Sequence, residues 1–375
     1  MWQIGIDEAG YGPTLGPFVM TAVGLGRPGT LRASDPWRLL DDVSDHVCRR
    51  RPYAAADSFC IADSKQLHRG KHGLAELEWH TLPILWRWLD GERRFVSLLA
   101  ALSVNGLPAE MALPCYQADL RLPLCHDAAT VAVRAERWWQ LLRRAGLYLA
   151  PPRLFVLLPP AINAAIAAHE TKAVLPMLGW QVLFTVWLQE IPKPAAADAS
   201  PGSPQCCEVW CDQLGGRKYY AAMLAGMLSG WQLEHYVEAR QRCQYVFRPV
   251  QEQRRCGTAD VGQRKGRPAT QKDTSNHRQT NLLRADVESA TRWQQCTVVI
   301  TPRAERQSFV VALASMISKY VREVFMHHWN AYWQQYVPAL RKTAGYPRDA
   351  GRFLREIESA RCRLGLAESL LRRCR

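Results

Sequence analysis

The sequence predicts an α/β protein, on two observations. Short apolar runs end in acids at three places: Ile4 to Val19 (IGIDEAGYGPTLGPFV) delivers Asp7 and Glu8, Phe59 to Asp63 (FCIAD) delivers Asp63, and Cys207 to Cys211 (CEVWC) delivers Asp212. Alternating with them are segments whose apolar residues recur at helical spacing, at Ala75 to Leu89, Ala129 to Leu147, Ile162 to Ile191 and Phe309 to His327.

In the first element, two adjacent carboxylates at a strand end are costly through burial and mutual repulsion unless a cation offsets them. Gly10, Gly12 and Gly16 follow, and glycines permit positive φ and close approach of a ligand backbone. The pattern reads either as a divalent-metal and phosphodiester site or as an exposed acidic turn after an edge strand. Asp63 runs into Ser64 and Lys65, where Lys65 is a candidate phosphate contact and a solvated helix start with Ser64 near its cap is the plainer reading. The helix predicted over Ala129 to Leu147 sets Trp138, Trp139, Leu141 and Leu142 beside Arg134, Arg137, Arg143 and Arg144. We expect core tryptophans and a wet arginine face there in preference to a base-stacking surface.

Further along, Arg153 to Leu158 reads as a strand, and Pro192 to Pro204 (PKPAAADASPGSP) as a flexible connector. Asp212 is followed by Gly215, Gly216, Arg217, Lys218, Tyr219 and Tyr220, so the pattern of strand, acid and glycines repeats. Gln251 to Ser289 is polar, basic and without periodicity, an insertion that either clamps a nucleic-acid backbone or is merely solvated. The strand Cys296 to Thr301 leads to the helix Phe309 to His327, on which Ser315, Lys319, Arg322 and Glu323 share one stripe. That stripe is either functional or an exposed face with a Lys319 to Glu323 ion pair worth roughly 0.3 kcal/mol.

The 375 residues carry 48 Lys plus Arg against 34 Asp plus Glu, a formal charge of +14, which attracts polyanions. We expect one core, residues 1–328, with insertions at about 100–150, 192–205 and 251–289, and a C-terminal helical extension over 329–375. The 12 cysteines are scattered with no CxxC pair, which argues against both a disulfide framework and a zinc site. No basic stretch precedes an apolar one at the N-terminus, and the most apolar segment is broken at Pro176, Gly179, Trp180 and Gln181. The expectation is a soluble, reduced, cytoplasmic protein with no membrane partner.

Five pieces in order, IDEAGYG at Ile6 to Gly12, DSK at Asp63 to Lys65, the strand-end Asp212, ASMISKYVRE at Ala314 to Glu323 and AGYPRDAGRFL at Ala344 to Leu354, resemble type 2 ribonuclease H, the ribonuclease HII family. The resemblance implies a ribonuclease H-like mixed five-stranded sheet flanked by helices, here with large insertions. It implies four carboxylates, Asp7, Glu8, Asp212 and Glu323, that hold two Mg²⁺ or Mn²⁺ ions. It implies an endonuclease that hydrolyses the RNA strand of RNA/DNA hybrids, or cuts at ribonucleotides embedded in duplex DNA, leaving 3′-hydroxyl and 5′-phosphate. Ser64, Lys65, Ser315 and Lys319 would line the phosphate groove, Gly10, Tyr11 and Gly12 would read the ribose, and Tyr346 would pack on the sugar.

The chain departs from the family twice. Tyr11 stands where members commonly have arginine or lysine between the two glycines, which bears on reading of the 2′-hydroxyl. Glu323 stands where aspartate is usual, one methylene longer. A relaxed-specificity nuclease on the same fold, and a nucleic-acid-binding protein without turnover, are the alternatives.

Overall fold

The computed structural model describes residues 1–27, 35–43, 47–49, 58–70, 72–189, 206–250 and 293–374. The connector expected over Pro192 to Pro204 and the basic insertion expected over Gln251 to Ser289 lie outside the described residues.

The main sheet is built on β1 (Trp2–Ala9) and β2 (Phe18–Gly26). β2 is buried along its whole length, as a near-continuous apolar run in a strand covered on both faces should be. Further strands follow in chain order: β3 (Val47–Cys48), β4 (Phe59–Cys60), β5 (Tyr148–Leu149), β6 (Arg153–Leu157), β7 (Cys206–Asp212), β8 (Trp231–Ala239), β9 (Arg242–Pro249) and β10 (Gln295–Thr301). β6 and β2 pair antiparallel, as do β2 and β1, whereas β1 with β7 and β7 with β10 are parallel. These five form the mixed sheet expected of a ribonuclease H-like core. β9 and β8 extend it antiparallel beyond β10, and β5 pairs with the end of β2.

Strand alternation divides the apolar residues between two cores. Trp2, Ile4, Ile6, Phe18, Met20 and Ala22 face one side, covered by the helices Pro159–His169, Val174–Gln189 and Ala221–Met227. Val19, Val23 and Leu25 face the other, covered by the helices Gly73–Leu85, Phe95–Leu102 and Ala128–Arg144 and by the long helix Phe309–Tyr336. The long helix crosses β1 at Gly5. A Cβ on Gly5 would collide with the backbone of Val310 and Val311, so only glycine lets the helix lie this close.

Several sequence expectations need correction. The FCIAD strand shrinks to Phe59–Cys60, because Asp63 turns to cap the helix Ser64–Leu67, accepting a hydrogen bond from Lys65 N at 2.9 Å. The helical expectation for the segment from Ile162 holds over its described residues, as two helices, Pro159–His169 and Val174–Gln189, bent by 103° at residues 170–173. Among the described residues no single helix is long and apolar enough to cross a membrane. Arg134 does not join a wet face. It is buried, stacks on Phe59 and Trp79, and donates to Ser58 O, while Trp138 and Trp139 pack in the core as expected. The C-terminal helix Pro347–Arg363 buries Ala350, Phe353, Leu354, Ile357 and Ala360 against the body of the protein.

Substituting Gly5 by alanine is expected to cost about 3 kcal/mol or more, the upper range for overpacking a rigid contact. Denaturant unfolding of Gly5→Ala measures it, and an unchanged midpoint would contradict the close crossing.

Candidate active site

Parallel pairing of β1 and β7 sets Ile6 opposite Cys211, so the next residues, Asp7 and Asp212, emerge side by side at the C-terminal ends of neighbouring strands. In open α/β sheets that edge is where ligands bind. Asp7 lies two residues beyond Gly5 and therefore faces the same long helix. Ser318 on that helix donates to Asp7 O at 3.0 Å, and its Oγ shares a 2.7 Å hydrogen bond with the Thr21 hydroxyl, which pins the helix to β1 and β2 at the level of the acids. One turn earlier, Ser315 hydrogen-bonds the Asp7 carboxylate and lies 3.0 Å from Ser64 Oγ. Two hydroxyls drawn from segments 251 residues apart thus meet beside the first acid.

Asp7 and Glu8 hold their protons tightly. Burial, then the charge of Glu8, push Asp7 well above the ordinary carboxylate range, with Asp212 adding to the effect and Ser315 opposing it. Burial, then Asp212, raise Glu8 to about 7, while Lys65 acts in the opposite direction. Glu305 is a further member: burial raises its pKa, and the charges of Asp212 and Asp63 raise it more. It stands in the short turn Ala304–Arg306 just after β10, whose neighbour Arg303 N donates to Asp212 Oδ1 at 2.8 Å. Sequence reasoning did not single out Glu305; its place immediately after a strand parallel to β7 was the available signal.

Glu323 is differently placed. Its Oε1 accepts from Lys319 Nζ at 2.7 Å and Arg322 at 2.8 Å, and its Oε2 lies 3.5 Å from His68 Nε2. Burial opposes the charge, but Arg322, Lys319 and His68 outweigh it and hold the Glu323 pKa below its ordinary value. The structure therefore brings Asp7, Glu8, Asp212, Ser64, Lys65 and Ser315 into one electrostatic neighbourhood, while Glu323 Oε1 serves the cations Lys319 and Arg322 and Oε2 faces the His68 imidazole.

The glycine turn after β1 forms the adjoining wall. Gly10 has φ +90°, and a Cβ there would collide with Pro17 O and stand 3.1 Å from the Arg322 side chain. A Cβ on exposed Gly12 would stand 3.9 Å from the ring of Tyr346, itself about half exposed. Gly345 O accepts from Thr14 N at 2.7 Å and Leu15 N at 3.1 Å, which docks the Ala344–Tyr346 segment onto the turn. The C-terminal tail adds a second tie. The guanidinium of Arg373, only 2% exposed, donates to the carbonyls of Gly10, Pro13 and Gly16. Burial and nearby Arg322 disfavour its charge, and the carbonyls offset that cost. No sequence signal marked Arg373, since a tail returning across the whole chain has no local pattern.

Among the described residues no three His, Cys, Asp or Glu side chains already stand together as a metal cage. The donor set nevertheless suits a divalent ion of the Mg²⁺ or Mn²⁺ type. Carboxylate oxygens are the hard ligands such cations take, and repulsion among Asp7, Glu8 and Asp212 is what a dication would relieve.

No family model and no curated protein matches the sequence. Among solved structures, the ribonuclease H2 from Pyrococcus horikoshii OT3 aligns with 14% identity over 99% of this chain and 92% of its own, at a TM-score of 0.40. The ribonuclease HII of the PCNA:RNase HII complex from Archaeoglobus fulgidus aligns with 12% identity over 100% and 95%, at 0.37. Bst-RNase HIII in complex with Mn²⁺ aligns with 16% identity over 95% and 62%, at 0.35. Likeness of this depth transfers no activity to the chain.

A carboxyl whose pKa is raised from 4.5 to about 7 on folding binds more protons folded than unfolded, so its contribution to stability falls as pH rises through that window. Metal-free Glu8→Gln should therefore melt above the wild type at about pH 8 and converge with it near pH 4. Parallel melting curves across that range would contradict the assigned crowding.

Proposed function

We propose that this protein is a metal-dependent endonuclease that hydrolyses the RNA strand of RNA/DNA hybrids, or cuts duplex DNA at embedded ribonucleotides, leaving 3′-hydroxyl and 5′-phosphate. The observation that carries the reading is the crowding of Asp7, Glu8 and Asp212 at adjacent parallel strand ends beside the Ser64–Ser315 pair. A protein that bound a polyanion by charge alone would gain nothing from acids gathered in its groove.

Asp7, Glu8 and Asp212 would hold the divalent ions, with Glu323 as the fourth acid of the proposed set. Bound there, such ions supply an activated water and charge stabilisation for the leaving 3′ oxygen. The chain's own groups do the rest. Lys65, within electrostatic reach of Glu8, is exposed and free to meet a phosphate. Ser64 and Ser315 offer hydroxyls beside Asp7 to orient its carboxylate and the phosphate above it. The turn at Gly10 to Gly12 brings main chain up to the ribose, where RNA differs from DNA. Tyr346, standing over Gly12, presents a ring to stack on the sugar. Glu323 first acts as an anchor that fixes Lys319 toward the groove.

The test is cleavage of three labelled duplexes: a single ribonucleotide in DNA, a full RNA/DNA hybrid, and all DNA. Mg²⁺- or Mn²⁺-dependent cutting confined to ribonucleotides is expected, falling by roughly 10²-fold or more in Asp212→Asn, the scale on which single preorganised charged groups act. Cutting of all three duplexes would replace this reading with a relaxed nuclease, and binding without cutting would replace it with an inactive binder. Glu323→Gln should also reduce cleavage; full activity in that variant would remove Glu323 from the set.

A further inference from the structure

A further cation, Lys172, stands beside the glycine turn. Lys172 lies in the short connection between the helices Pro159–His169 and Val174–Gln189. Its Nζ sits 5.3 Å from the centroid of the Tyr11 ring. Among the described residues no carboxylate stands within ion-pair distance of it. Its charged neighbour is another cation, Arg373, whose repulsion adds to partial burial in lowering the Lys172 pKa.

An ammonium held on an aromatic face is attracted by the ring's negative face, which positions the group without neutralising it. Two neighbouring cations therefore stand beside the turn. Arg373 has its guanidinium committed to the carbonyls of Gly10, Pro13 and Gly16, so Lys172 is the member able to take an anion. The place also matches a strand running over the acids. Tyr11 lies close enough to Glu8 for that charge to raise its own pKa, and Lys65 acts on the same Glu8 carboxylate. Lys65 thus acts on Glu8 directly, while Lys172 stands on the Tyr11 ring beside it, and the two lysines come from different segments of the chain.

We propose that Lys172, carried on the face of Tyr11, is a substrate-binding residue that holds a backbone phosphate of the nucleic-acid strand lying over Gly10 to Gly12. Lys65 attends the phosphate nearer the acids, and Lys172 fixes the register of the strand beside it. This assignment rests on the nuclease reading of the site. The contact is with phosphate, so it carries affinity and positioning and does not select RNA over DNA.

The experiment measures binding of a labelled RNA/DNA hybrid across a salt series. It uses the Asp212→Asn protein with Mg²⁺ present, so that bound duplex is not consumed. Lys172→Gln added to that background should lower the slope of log K against log salt by about 0.9, the loss of one phosphate contact. Lys172→Arg should keep the slope. Thermal melting of both variants separates a lost contact from a disturbed fold, and Lys172→Gln is expected to melt with its parent. Hybrid binding with an identical slope in Lys172→Gln overturns this proposal and leaves the nuclease reading standing. Failure of the Asp212→Asn protein itself to bind the hybrid overturns the nuclease reading, and this proposal with it.

Discussion

The close seating of one helix on one strand is the constraint from which the site follows. Gly5 removes the side chain that would hold the long helix Phe309–Tyr336 away from β1. Once the helix lies there, Ser318 reaches Asp7 O and Thr21, and Ser315 is carried to the Asp7 carboxylate. Two turns beyond Ser315, Arg322 passes behind Gly10 and bonds Ala344 O at 2.8 Å. That contact ties the segment bearing Tyr346 to the same helix. A single missing Cβ therefore sets the position of groups from four separate parts of the chain.

Charge at this edge of the sheet is divided unevenly, and the division is informative. Glu8, Asp212 and Glu305 raise the proton affinity of their acidic neighbours, Asp7 among them. Glu323, a short way along the helix, is compensated by Lys319 and Arg322, with the His68 imidazole on its other oxygen. Uncompensated acids at a strand edge are the usual mark of a functional group in place of a structural one. Behind them the turn is held by Arg373, whose guanidinium donates to the carbonyls of Gly10, Pro13 and Gly16. The outward side of the turn is left to Tyr11, Gly12 and Lys172.

Much of this was legible in the sequence, for reasons that are local. β1, β7 and β10 declared themselves because buried strands need apolar residues whatever surrounds them. Asp7, Glu8 and Asp212 declared themselves because each interrupts such a run. What the sequence hid was non-local or cap-driven. The β8–β9 hairpin was missed because Trp231–Ala239 is largely exposed and lacks an apolar rhythm. Asp63 looked like a strand end but serves as a helix cap, because a side-chain oxygen two residues from a free amide competes with the sheet. Arg134 looked like a solvent-facing charge but lies between Phe59 and Trp79, a sandwich that only the folded chain creates. Arg373 and Lys172 reach the turn from distant segments, so no window of sequence around Gly10 contains them.

The central claim is that crowded acids at the ends of β1 and β7 form a divalent-metal site poised near neutral pH. Calorimetric titration of Mn²⁺ into the protein at about pH 7, repeated in buffers of different ionisation heat, tests it most directly, since ions that bind protonated carboxyls must displace protons. The account predicts saturable binding with net proton release, and loss of both in Asp212→Asn. Binding whose heat is independent of buffer, or which survives unchanged in Asp212→Asn, would contradict it.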